Sequence, residues 1–160
     1  MKTATLGTLL LLLFVSGCAR FAYQPASGDN TASVTFSSDG IGVQPMICVP
    51  GKGFKATEIS VASNDSDSEF VTQVNEALKK QPEVTTLVPG DNDTRVGFSY
   101  AEDKKAAGTR ERCKVAVFFR ARAGAHYRAH FSLPGGQCAL TLTSEDDAAV
   151  DAVAVPYTCP

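Results

Sequence analysis

Apolar residues occupy alternate positions in two neighbouring segments, residues 113–120 and 126–133. Side chains of a β-strand point to opposite faces in turn, so this period of two predicts two strands that each bury one face. The chain around Gly124 lies between them and has the composition of a turn. We therefore predict that the two segments pair as the best-specified hairpin of the protein. The residues expected to face the core are Cys113, Val115, Val117, Phe119, Tyr127, Ala129, Phe131 and Leu133.

Shorter apolar or alternating runs fill most of the remaining chain from residue 31 onward. Turn signals such as Ser37-Ser38-Asp39-Gly40 separate these runs, and the first two runs are expected to form a hairpin. Many short strands joined by turns indicate a mainly all-β fold, an antiparallel β-sandwich of immunoglobulin-like or transthyretin-like kind over residues 31–160. The further predicted strands are residues 32–36, 41–49, 57–62, 84–88, 95–100, 138–143 and 150–156.

One segment has the period of a helix instead. Asn64 or Asp65 can cap it, acidic residues follow in the first turn, and Pro82 ends it. We predict a short helix near residues 66–80 with one apolar stripe. The stripe consists of Phe70, Val71, Val74, Ala77 and Leu78.

The first eighteen residues have a pattern of their own. Lys2 precedes an apolar run from Leu6 to Val15, too short to cross ~30 Å of hydrocarbon as a stable helix, which is typical of a signal peptide. The run ends in Val15-Ser16-Gly17-Cys18, which resembles the lipobox of bacterial lipoproteins. The resemblance implies that residues 1–17 are removed and that Cys18 is lipidated, with a diacylglyceryl group on its thiol and an acyl chain such as palmitate on its amine.

The same resemblance implies a location. In that family an Asp after the lipidated Cys retains the protein in the inner membrane, and this chain has Ala19 there. We therefore expect an outer-membrane protein held by its lipid anchor, since several acyl chains hold firmly where one does not. Either orientation, periplasmic or outward, is compatible with the sequence. Residues 18–30 are polar and contain Pro, Ser and Gly, so they are expected to form a lipidated tether.

Composition bounds what the rest of the chain can be. The 160 residues less the 17 of the signal peptide leave 143, which is enough for one domain with its own core. Without Lys2 the chain has 14 basic and 17 acidic residues, a net charge of −3. This balance argues against a nucleic-acid partner. No feature indicates an oligomeric state.

Four cysteines follow Cys18, and they are Cys48, Cys113, Cys138 and Cys159. An even number outside the cytosol predicts two disulfides, for which three pairings are possible. We favour Cys138 with Cys159, which would tie the last strands together, and Cys48 with Cys113, which would staple an early strand to a central one. No two of these cysteines have the close spacing of a zinc site, so no metal or cofactor is expected.

The sequence gives little support to enzyme chemistry. His126 and His130, the two histidines, lie on the outward side of one predicted strand. At ~3.3 Å per residue they would be ~13 Å apart, too far to share a metal ion. No G-x-S-x-G nucleophile elbow occurs. The acidic run 64–69 lacks the glycine of a calcium loop, and the segment 50–55 lacks the spacing of a phosphate-binding loop. We therefore predict no catalytic residues.

Charge is segregated along the chain. Residues 104–130 contain eight basic residues and one acid, Glu111, whereas the remaining mature chain has six basic and sixteen acidic residues. Several of these bases are separated by an even number of positions, so their side chains are expected to lie on the same side of a strand. The outward face of the main hairpin is therefore expected to be a basic stripe that attracts anions through its local field. The residues of this predicted anion-binding or partner-binding stripe are Arg110, Arg112, Lys114, Arg120, Arg122 and Arg128.

The leading hypothesis is a non-enzymatic outer-membrane lipoprotein that binds through this stripe. An anionic envelope polymer, a lipid or an acidic protein would be its partner. One alternative is a structural or assembly accessory subunit of an envelope or secretion machine. Another is a hydrolase inhibitor or immunity protein, for which Ala101 to Gly108 is the candidate protruding loop.

Overall fold

The computed structural model describes residues 21–39, 42–62, 69–104 and 109–160, with the side chains of residues 102–104 and 109–111 excepted. These residues form a mainly β fold with one α-helix, which confirms the predicted class. The helix is α1 (Glu69–Ala77). The strands are β1 (Thr31–Ser38), β2 (Gln44–Val49), β3 (Gly53–Ala56), β4 (Ser60–Val61), β5 (Lys80–Gln81), β6 (Val84–Pro89), β7 (Asn92–Lys104), β8 (Thr109–Ala121), β9 (His126–Ser132), β10 (Ala139–Ser144) and β11 (Ala152–Val155).

The strands form the two sheets of a β-sandwich. A five-stranded sheet has the order β11-β8-β7-β2-β3, and a four-stranded sheet has the order β10-β9-β1-β6. A small third sheet contains β4 and β5. Pairing within the two large sheets is antiparallel except between β1 and β9, which are parallel.

The core lies between the two large sheets and is built on phenylalanines. Phe36 and Phe131 of the four-stranded sheet meet Phe98 of the five-stranded sheet, with ring centroids 5.4 and 5.5 Å from that of Phe98. Rings at these distances attract each other in addition to the gain from removing apolar surface from water. The predicted core positions of β8 and β9 are confirmed, because each is buried or packs against the buried cluster. Those positions are Cys113, Val115, Val117, Phe119, Tyr127, Ala129, Phe131 and Leu133.

Both predicted hairpins are wrong. β8 pairs with β7 and β11, whereas β9 pairs with β1 and β10 in the opposite sheet. In the same way β1 and β2 belong to different sheets. Alternation shows which side of a strand meets the core, but both sheets of a sandwich share that core, so the pattern does not distinguish them. The connections after β1 and β8 therefore cross from one sheet to the other.

Part of the predicted tether is docked on the domain. The Tyr23 amide donates to the Ala56 carbonyl, the Tyr23 hydroxyl donates to the Leu87 carbonyl, and the Ala26 amide also donates to the Leu87 carbonyl. Tyr23 is buried in the core cluster. Between Ala22 and Ala26 the chain is thus held against β3 and β6.

The predicted helix is present as α1, but none of its residues is buried. Phe70, Val74 and Leu78 of the predicted stripe are exposed by 72, 37 and 57%. The helix packs beside β5 at the edge of the domain instead of covering the core. None of the helices in the described ranges is long and apolar enough to cross a membrane.

Candidate binding site

The outer surface of the five-stranded sheet carries a group of basic residues, which we call the basic face. Its members are Arg95 of β7 and Arg112, Lys114 and Arg120 of β8. Their neighbours in sequence, such as Val96 and Phe119, are buried in the core, so alternation turns the basic side chains outward. Asp93, opposite Arg120 in the ladder, is the acid on this face among the described side chains of β7 and β8. Four bases against one acid make the face positive.

Of the predicted stripe, three residues lie together on the basic face, and they are Arg112, Lys114 and Arg120. Arg110 lies opposite Asp103 in the β7–β8 ladder. Arg122 is exposed directly after β8. Arg128 is exposed on β9, on the outer surface of the opposite sheet, so the prediction that it lies beside the others is wrong.

The final residues cross the basic face as a strap, residues 156–160. The Tyr157 ring stacks on Phe54 of β3 at 4.2 Å between centroids. The Lys114 ammonium lies 5.3 Å from the centroid of the same ring. Arg95 donates from Nη1 to the Thr158 carbonyl at 2.9 Å, and its guanidinium also lies over the Phe118 ring. The strap therefore spans the sheet from β11 to β3 and contacts two of the four bases, Arg95 and Lys114.

A disulfide between Cys48 and Cys159 fixes the end of this strap to β2. The second disulfide joins Cys113 to Cys138. Two disulfides are confirmed, but the favoured pairing of Cys138 with Cys159 and of Cys48 with Cys113 is wrong. Cys48 follows the buried Ile47 and thus points to the outer surface, whereas Cys113 lies opposite the buried Tyr100 and points inward. Cysteines on opposite surfaces of one sheet cannot reach each other.

The strap also buries a phenol. The Tyr157 hydroxyl is shielded from solvent and has no hydrogen-bond partner among the described residues. Because burial disfavours the phenolate, the pKa of Tyr157 rises from 10.0 to about 12. The ring is thus held by packing and by the Lys114 ammonium alone.

A cleft of about 770 Å³ opens at one end of the five-stranded sheet. The ladder between β2 and β7 ends at Ile47 and Val96. Beyond that point β2 stays with β3 as far as Val49, and β7 stays with β8 as far as Asn92. The two strands therefore separate, and the cleft lies between their ends. Volumes of this size are typical of sites for small ligands.

The walls of the cleft combine apolar surface with positive charge. Apolar contributions come from Ile47, Val49, Phe118 and Pro160. Three bases and one acid line it as well, and they are Lys52, Lys55, Arg95 and Asp93. Neither lysine has an ion pair with another residue that the structure describes. The cleft is continuous with the basic face through Arg95, which lines both.

The outer surface of the four-stranded sheet has a different chemistry, and we call it the hydroxyl face. Its side chains bond across strands: Ser33 Oγ is 2.6 Å from His126 Nδ1, and Thr35 Oγ1 is 2.8 Å from Thr85 Oγ1. Ser37 Oγ lies 2.9 Å from His130 Nδ1, and His130 Nε2 lies 2.9 Å from Asp39 Oδ1. With Nε2–H donating to the carboxylate, Nδ1 accepts from the serine hydroxyl.

Ser37, His130 and Asp39 are of the residue types found in hydrolytic triads. The sequence alone did not predict that they lie together. They are 93 and 91 residues apart, and only the parallel pairing of β1 with β9 makes them neighbours. Ser37 lies in a regular strand instead of on a nucleophile elbow, and none of the three lines the cleft. The contacts observed among the three are hydrogen bonds that link β1, and the residue directly after it, to β9.

Several residues of the basic face and cleft were missed by the sequence reasoning. Arg95 is two residues from Asp93 and two from Gly97, so the alternation of a strand puts all three on one side. This alternation could have placed Arg95 on the outer face. Lys52 and Lys55 belong to the segment 50–55, a turn leading into β3, so the reading of that segment as a turn is confirmed in part. The acidic run 64–69 lies outside the described residues apart from Glu69. In the described part of the chain no His, Cys, Asp and Glu cluster could hold a metal ion.

Comparisons with models of known protein families and with curated proteins find no match.

Proposed function

We propose that this protein is a lipid-anchored, non-enzymatic lipoprotein of the bacterial outer membrane that binds an anionic envelope component through the basic face. The observation that carries the proposal is the set of outward bases on β8, which face one acid, Asp93, among the described side chains of β7, on a chain whose net charge is negative. The lipobox resemblance at Val15-Ser16-Gly17-Cys18 supports the anchor and the compartment. Disulfides agree with an oxidising compartment.

The bases on this face form no ion pair with an acidic side chain that the structure describes. Arg112 bonds to no other described side chain. Arg120 donates to the Asp91 carbonyl, a neutral group, and Lys114 rests on the Tyr157 ring. Their charges therefore remain available, and exposed charges of one sign attract anions such as lipid phosphates, polymer carboxylates or acidic proteins.

The test of binding compares two surfaces that carry the same kind of residue. The full chain, extracted from envelopes in a nonionic detergent, would be mixed with purified peptidoglycan sacculi or with beads that carry phosphatidylglycerol. We expect adsorption that weakens as salt rises past ~0.15 M, because exposed charges are screened within ~8 Å. Changing Arg112, Lys114 and Arg120 to Glu should lower it about tenfold or more, whereas the control Arg128→Glu on the hydroxyl face should leave it unchanged. The two probes distinguish a polymer from a lipid.

The result is interpretable only for folded variants, so both disulfides and the melting temperature would be checked in parallel. Adsorption that the triple charge reversal leaves unchanged, or an equal loss in Arg128→Glu, would contradict the proposal. The anchor has its own test: Cys18→Ser should abolish metabolic labelling with palmitate, and unchanged labelling would remove the lipid anchor from the proposal.

A further inference from the structure

We propose that the cleft between β2 and β7 binds an anionic lipid, with its headgroup on Lys52, Lys55 and Arg95 and its acyl chain against the apolar wall. This inference rests on the proposed anchoring, which would place the protein at a membrane. The site itself is separate from the outward bases of β8, because neither Arg112 nor Lys114 lines the cleft.

Charge complementarity selects the class of ligand. Two of the three cations, Lys52 and Lys55, have no ion pair with another described residue, and Asp93 is the acid of the lining. A free anion would need only the charges, and an apolar ligand only the wall. The two kinds of surface side by side fit a molecule that has a negative head and an apolar chain.

The apolar wall lies where the ladder between β2 and β7 has ended. Because β2 stays with β3 and leaves β7 after Ile47, Val49 lines the gap between β2 and β7. Phe118 of β8 and Pro160 of the strap complete that side. The Cys48–Cys159 disulfide borders the gap and keeps Pro160 in place. An acyl chain in this gap would cover apolar surface that water now reaches.

The position of the cleft relative to the anchor favours a lipid as the source of the anion. Ala22 lines the cleft and also bridges to Ala56 beside β3. It follows Cys18 by four residues in the sequence. Four residues of extended chain span at most ~14 Å, so a lipidated Cys18 would hold the mouth of the cleft near the headgroup layer.

Photo-crosslinking in vesicles tests this inference. The full chain would be reconstituted into phosphatidylcholine vesicles that contain a trace of phosphatidylglycerol with a diazirine on its acyl chain. A second sample would contain phosphatidylcholine with the same chain and diazirine. We expect crosslinks on peptides that contain Val49 and Phe118, and a higher yield with phosphatidylglycerol, since each lysine near an anionic headgroup contributes a preference of about fivefold.

Two variants separate the head from the chain. Changing Lys52 and Lys55 to Glu should lower the yield at the cleft about tenfold or more by repelling the headgroup. Ala22→Trp should lower it by filling the mouth without a change of charge. Arg128→Glu is the control and should leave the yield unchanged. Melting temperatures and disulfide mapping would show that each variant is folded.

Three results would overturn the inference: crosslinks only outside the cleft, equal yields from the two probes, or yields that neither variant lowers. Adsorption through the basic face is measured with Arg112, Lys114 and Arg120, which these variants keep. Failure at the cleft with adsorption intact would therefore remove only this inference, and the reverse result would remove only the proposed function.

Discussion

The basic face and the hydroxyl face are the two outer surfaces of one sandwich, and they treat their polar side chains in opposite ways. On the hydroxyl face, Ser33, Ser37 and Thr35 bond to side chains on the neighbouring strands. On the basic face, Arg112 bonds to no other described side chain, and Lys114 lies over the Tyr157 ring. Arg95 and Arg120 donate to backbone carbonyls, which carry no charge. Polar groups satisfied within the protein support the fold, whereas unpartnered charges are available to a ligand. This difference is the reason why we propose the basic face, and not the hydroxyl face, as the binding surface.

The largest expected effect comes from releasing the strap that distinguishes the basic face. The Cys48–Cys159 disulfide joins residues 111 apart in the sequence. In the loop-entropy account, a closed loop of about 100 residues contributes about 5 kcal/mol to the free energy of unfolding. Changing both cysteines to Ser should remove an amount of that order, measured by urea denaturation. The control is the Cys113–Cys138 pair, whose shorter separation of 25 residues gives a smaller loss.

An intermediate effect tests whether the two faces differ as described. Ser37→Ala removes a cross-strand hydrogen bond to His130 and should lower the free energy of unfolding by about 1 kcal/mol. Arg112→Ala removes an exposed base without a partner in the described chain and should change it by less than about 0.5 kcal/mol. Equal losses in the two variants would show that the basic face is also structural, and would weaken the proposed function.

The smallest expected effect concerns the buried phenol of Tyr157, which belongs to the strap. Tyr157→Phe removes a buried hydroxyl that lacks a partner, so stability at pH 7 should be unchanged or rise by up to about 1 kcal/mol. Above pH 10.0 the unfolded state loses the phenol proton while the folded state keeps it up to about pH 12. The unfolded state then binds fewer protons, so stability falls across this window.

Urea denaturation at pH 9 and at pH 11 would measure that fall. Tyr157→Phe should reduce the difference between the two values, because its ring does not titrate. Burial also raises the pKa of Tyr23, so part of the fall should persist in the variant. An identical fall in the variant and the original chain would mean that the Tyr157 hydroxyl is not buried in solution.

The sequence predicted the side that each strand presents to the core better than it predicted the partner of that strand. Alternation in β8 and β9 identified buried residues such as Phe119 and Phe131 because burial depends on the strand itself. Pairing depends on contacts between distant segments, such as Ser37 with His130, and no local pattern records these. The wrong hairpin then placed Arg128 beside the other bases. The favoured disulfides were wrong for the same reason, because each observed bridge joins segments whose proximity no local pattern records.

The cleft and the strap could not be predicted for a related reason. Residues 156–160 have no alternation to follow, and their position depends on Cys48, Phe54 and Arg95 in three other strands. The cleft exists because the β2–β7 ladder stops early, which is a property of two strands together. In α1 the period of the helix was correct, but an apolar stripe does not reveal whether the domain has room to receive it.

The docked segment from Ala22 to Ala26 also decides how the domain would bear a mechanical load. If the chain is anchored at Cys18 as proposed, a pull on the bound partner is transmitted from the membrane through this segment into β1. β1 is an inner strand, with β6 on one side and β9 on the other. A strand in that position cannot be peeled from an edge one bond at a time, because the ladders on both sides share the force. The domain should therefore resist extraction by traction on its anchor better than one that hangs from an edge strand.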